Sequence, residues 1–107
     1  MASTATVVEP GPSYGDGERV RIHIRQRGRR IDLNDGGRAV EKAGVVGGGW
    51  LEVADRVVAR EGFNVNRSGV VFVPVQEGRD IDELATRLAG TAVDVYAALL
   101  EDLEPRR

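Results

Sequence analysis

The C-terminal part of the chain carries the pattern that most restricts its fold. From Ile81, apolar residues recur at Leu84, Ala85, Leu88, Ala92, Val95, Tyr96, Leu99 and Leu103. Spacings of three and four define one helix face, and they predict an amphipathic helix of about 20 residues ending before Pro105. Asp80 and Glu83 supply a capping-box-like start, with Asp in place of Ser or Thr. Gly90 weakens the interior by up to ~1 kcal/mol relative to alanine. An apolar stripe of this length has to be covered by a second layer, which the rest of the chain must provide.

Two stretches have the period of a half-buried sheet. In Arg19–Arg25, Val20, Ile22 and Ile24 alternate strictly with Arg19, Arg21, His23 and Arg25. Gln26 to Arg29 offers a turn containing Gly28, and Arg30-Ile31-Asp32-Leu33 returns with Ile31 and Leu33 on the apolar side. A second hairpin is predicted from Phe63–Asn66 and Val70–Val75 around Arg67-Ser68-Gly69. Pro74 lacks a backbone donor, so that strand is expected on an edge or ending there. Between the hairpins, Arg38–Ala43 reads as a short helix closed by Gly44. A second helix follows Gly47-Gly48-Gly49, from Trp50 to about Glu61, with a stripe of Trp50, Leu51, Ala54, Val57 and Val58.

The resulting order is ββ-αα-ββ-α. It predicts a two-layer α+β fold, in which an antiparallel sheet of two hairpins has its helices on one face and ends in a long C-terminal helix. Residues 1–18, with Pro10, Pro12 and few large apolar groups, are expected to form a flexible tail, although Thr6-Val7-Val8 can add a short edge strand. Residues 19–104 then make a single domain. A length of 107 residues suits one domain and no more.

Composition removes several function classes. With no cysteine and one histidine, thiol chemistry and thiolate metal sites are excluded, and no metal or cofactor is expected. No apolar run approaches the roughly 20 residues of a membrane span, and the N-terminus lacks a signal-peptide pattern. A cytoplasmic protein with no membrane partner is the expectation. Fourteen of the fifteen basic residues are arginine, as a GC-rich coding genome would produce.

The segment Ile31-Asp32-Leu33-Asn34-Asp35-Gly36-Gly37-Arg38 admits more than one chemistry. Asn34 and Asp35 are too few oxygens for Ca²⁺. The glycine amides lack the spacing and lysine of a phosphate loop. Turning a strand into a helix, with Asn34 or Asp35 as the cap, accounts for all four central residues. Asp35 is the one acid worth testing for enzymatic chemistry.

That segment, continued to Ala43-Gly44, resembles the DUF1828 domain, a bacterial and phage family of unknown function. The correspondence runs in order through the glycine segment, a helix, the Phe63–Val75 hairpin and the C-terminal helix, over about residues 18–101. The resemblance implies a fold and assigns no catalytic residue. Gly47–Gly49 is smaller than an ordered linker of that family.

Charge separation points to a working surface. The net charge is −2, yet six arginines and no acid lie between Arg19 and Arg30, while eight acids and two arginines lie between Glu77 and Glu104. Arg19, Arg21, Arg25, Arg27, Arg29 and Arg30 form the candidate binding set. Such a face can hold phosphates in a salt-sensitive way, but the stacking aromatics of a sheet that binds single strands are missing between Val20 and Gly49. His23 has no Ser or acid placed as a catalytic partner. Trp50 begins a helix stripe and is expected in the core. The acids of the last helix suit a solvated face, or a basic partner.

These observations favour a small non-enzymatic protein-interaction domain, such as an accessory factor of a phage or mobile element. The alternative is a nucleic-acid-binding module using the arginine strand. No small-molecule substrate is expected. Homodimerisation is expected to use an open edge strand bearing Phe72.

Overall fold

The computed structural model describes residues 4–45 and 47–103. Five antiparallel strands and three helices follow one another as β1 (Thr4–Val8), β2 (Ile22–Arg27), β3 (Arg30–Asn34), α1 (Arg38–Ala43), α2 (Trp50–Ala59), β4 (Asn64–Val65), β5 (Val71–Val75) and α3 (Ile81–Leu103). The strands lie in the sheet in the order β1-β2-β3-β5-β4. The α+β class and the long C-terminal helix agree with the sequence expectation.

Local chemistry sets the boundaries. Gly28 and Arg29 are the two-residue loop between the paired Arg27 and Arg30. Gly28 has φ 59° in the first loop position, where a type II′ turn calls for glycine. At the start of α3, Asp80 Oδ1 accepts the Glu83 N–H at 3.2 Å. The stripe of α3 is buried at Leu84, Ala85, Leu88, Ala92, Val95 and Leu99. The helix packs against β2, β3 and β5, and both α1 and α2 pack on it. Val20, Ile22, Leu33 and Val71, each with 0% exposure, supply the sheet's share of the same core. Among the described residues no helix is long and apolar enough to cross a membrane.

Two expectations are corrected. Residues 1–18 do not form a flexible tail over their described part. The short edge strand allowed for at Thr6-Val7-Val8 is present and longer: Thr4–Val8 pairs with β2 from Thr4↔Gln26 to Val8↔Ile22 and makes one edge of the sheet. Residues 12–20 then form a strap, closed by Tyr14 N–H to Glu18 O (2.9 Å) and Val20 N–H to Pro12 O (3.0 Å). The second correction concerns β5. β4 covers its first two residues, so Phe72 is not available for edge pairing, whereas Val73–Val75 pair with β3 alone and the strand ends one residue past Pro74, as that proline leads one to expect. Pro74 is tolerated opposite Asp32 in the ladder with β3; the two-residue β4 does not reach it.

The strap is held by charge and by one aromatic pair. Lys42 pairs with Asp16, and with Glu18 at 3.2 Å. Arg38 grips both Glu18 oxygens at 2.7 and 2.8 Å. Tyr14 packs edge-on against Tyr96 with ring centroids 5.4 Å apart, and the Lys42 ammonium stands 5.6 Å from each centroid. Burial pushes the Tyr14 hydroxyl up, with the Asp35 and Glu18 charges adding to the effect.

The Arg38 hydrogen bonds pull the Glu18 carboxyl from 4.5 down to about 2, and the Lys42 hydrogen bond pulls Asp16 down as well. A depressed folded-state value contributes stability above the ordinary value and loses it as pH falls through the depressed one. The strap should therefore loosen between pH 4.5 and about 2. The protection factors of the Tyr14 and Val20 amides, taken against the intrinsic exchange rate at each pH, should fall there while those of the α3 core do not; an equal fall in both would contradict a locally held strap.

Candidate functional site

The Asn34–Gly37 turn is built around one carboxylate. Asp35 Oδ1 accepts N–H groups from Gly37 at 2.8 Å and Val71 at 2.9 Å, and Oδ2 accepts from Ala39 at 3.2 Å. Its own N–H donates back to Val71 O at 3.0 Å. Asp35 thus caps α1 from upstream and fastens the end of β3 to β5. It is 1% exposed. Burial pushes its carboxyl up, against the pull of its three N–H donors. Asn34 Oδ1 takes the Gly36 N–H at 2.8 Å. Gly36 has φ +68°, and a Cβ there would stand 2.7 Å from His23 Nε2, so the imidazole lies directly against the turn.

Register assigns the arginines to the sheet face away from the core. Ile22, Ile24, Leu33, Val71 and Val73 share the inner side, since Ile24 pairs with Leu33 and Leu33 with Val73. His23, Arg25 and Arg27 alternate with them on the outer side. Arg30 lies opposite Arg27 on that side, and Asp32 lies opposite Arg25. Arg29 sits in the turn. Arg19 and Arg21 continue the row before β2, where Arg19 is bridged to Ser13. There Arg19, Arg21, His23, Gly36 and Arg38 line a groove of about 770 Å³ that Glu9 and Glu18 share.

The six candidate arginines divide into two groups. Arg21 pairs with Glu9 across the β1 side at 3.3 Å. Arg19, Arg25, Arg27, Arg29 and Arg30 have no ion pair among the described residues, and all five are exposed. Arg27 lies directly opposite Arg30, and like charges in that position destabilise a sheet. Asn34 and Phe72, which the sequence reading assigned to a cap and to an edge strand, also lie on the outer face. Asn34 pairs with Phe72, which brings an aromatic ring onto the arginine side of the sheet. The alternation of Phe72 and Pro74 with Val71, Val73 and Val75 carried that signal.

Among the described residues no group of three His, Asp or Glu side chains is placed to hold a metal ion. No known protein family matches this chain, and neither does any curated protein or solved structure.

The carboxylate's role is testable through stability. Asp35→Ala leaves three backbone N–H groups without their acceptor and should cost on the order of 3 kcal/mol or more. Asp35→Asn keeps one oxygen and should cost less. Urea unfolding measures both, and an Ala variant within ~0.5 kcal/mol of the parent would contradict the assignment.

Proposed function

We propose that this chain is a small non-enzymatic binding domain whose partner is nucleic acid, held through its phosphates by the arginine face of β2 and β3. The observation that carries the reading is the row of exposed arginines, five of which (Arg19, Arg25, Arg27, Arg29 and Arg30) make no ion pair among the described residues. Alternate residues of a strand stand about 6.8 Å apart, close to the phosphate repeat of an extended nucleic-acid strand. Arg19, Arg21, Arg25 and Arg27 fall on that repeat, with Arg29 and Arg30 at its end.

The reading takes the fold as two layers, with the helices behind the Val20, Ile22, Leu33 and Val71 side and the arginine side open. The overall charge of −2 does not oppose it, because the field that a ligand meets is local. Kinship with DUF1828 belongs to the same proposal and rests on the Ile31–Arg38 pattern and the order of elements.

Binding of a labelled oligonucleotide should weaken steeply with salt, and log K should fall linearly with log salt concentration. Arg25→Glu combined with Arg27→Glu should abolish it. Each single change to Ala should reduce the slope by about 0.7 to 0.9. Arg56→Glu with Arg60→Glu, on α2, should leave binding unchanged. Affinity indifferent to salt, or to the β2 changes, would refute the proposal.

A further inference from the structure

An arginine row alone selects polyanions without preference for form. Phe72 adds a second chemistry to the same face. The pairings His23↔Asn34, Asn34↔Phe72 and Phe72↔Asn64 lay these four side chains in one line across β2, β3, β5 and β4. Neighbouring strands are about 4.8 Å apart, so Phe72 stands roughly 10 Å from the arginine row, on the far side of β3. A base attached to a backbone lying on β2 can cross that interval.

The surroundings of Phe72 differ from those of its neighbours. Val71 belongs to the buried core and Val73 packs against it, whereas Phe72 joins neither the core cluster nor its half-buried fringe. The ring is half-buried on the outer face, and the exposed Asn64 and Pro74 are near it in the ladder. An aromatic side chain in this position is one on which a ligand's base can stack. Bases in a duplex are already stacked and cannot use it, while unpaired bases can.

We propose that Phe72 is a base-stacking platform and that the preferred ligand is single-stranded. Its phosphates follow Arg21, Arg25 and Arg27 along β2, and one or two bases cross Asn34 to lie on Phe72. The inference rests on the nucleic-acid reading above and names the form of its ligand. Both oligothymidylate and oligouridylate offer the same stacking and phosphate chemistry, and their relative affinities distinguish a DNA from an RNA ligand.

Fluorescence anisotropy with short oligothymidylate, oligouridylate and duplex DNA of equal length provides the test. The parent protein should bind at least one single strand more tightly than the duplex. Phe72→Ala should weaken single-strand binding by roughly 5-fold or more, as loss of one stacked base does. Its salt slope and its duplex affinity should stay unchanged, because no phosphate contact is removed. Phe72→Trp should restore single-strand affinity, and thermal unfolding should show both variants folded. Equal affinity of Phe72→Ala and parent for every single strand would overturn the inference while leaving the arginine reading in place. So would a parent protein that prefers the duplex. No salt-dependent binding to any of the three ligands would remove both.

Discussion

The carboxylate of Asp35 is the interaction on which the arrangement depends. Three N–H groups from three places in the chain converge on it: Gly37 in the turn, Ala39 in α1 and Val71 at the start of β5. A buried acceptor with this many donors fixes relative position as well as energy, because no water can replace it without opening the core. The end of β3 is thereby tied both to the helix that follows it and to a strand 36 residues further on. That tie sets the β3–β5 register, and the register puts Phe72 opposite Asn34. The same turn brings Gly36 against His23. The face that carries the arginines and Phe72 is thus a consequence of a capping interaction outside it.

Charge is used in two ways. On the strap side, Glu18 gathers Arg38 and Lys42, Asp16 takes Lys42, and Arg38 reaches Glu41 as well, so each cation has its acid. Those pairs are local fasteners, holding residues that have little apolar surface to bury. Across the sheet, the hairpin of β2 and β3 ends in Arg25, Arg27, Arg29 and Arg30 with no such partners among the described residues. Acid opposes the first group. For Asp35 the sign is reversed. A raised folded-state value means its contribution favours the folded state below the ordinary carboxylate value and declines as pH rises through the raised one.

What the sequence disclosed, and what it hid, follows the range of the interactions. The α3 stripe, the short α1 ending at Gly44 and the Val20–Leu33 alternation are local periodicities, and each was legible. The strap was hidden because its anchors are distant: Glu18 meets Arg38 and Lys42, separated from it by 20 and 24 residues, and Tyr14 meets Tyr96 at the far end of the chain. A segment rich in Pro and Gly reads as a tail when such partners cannot be seen. The place of β5 within the sheet was hidden for the same reason. The parity of Phe72 was visible within Val71–Val75, but the tie from Asp35 to Val71 that places β5 between β3 and β4 was not. The candidate arginines were legible as a set, and their division into paired and unpaired members was not.

The account makes one face of the sheet the working surface, and chemical-shift mapping during titration with a short single-stranded oligonucleotide tests that most directly. Amides of Arg19 to Asn34 in β2 and β3, together with Phe72, should shift in a salt-dependent way, while α2 and the C-terminal half of α3 should not. Shifts concentrated on the helices, or none at concentrations where salt-sensitive binding is expected, would contradict it.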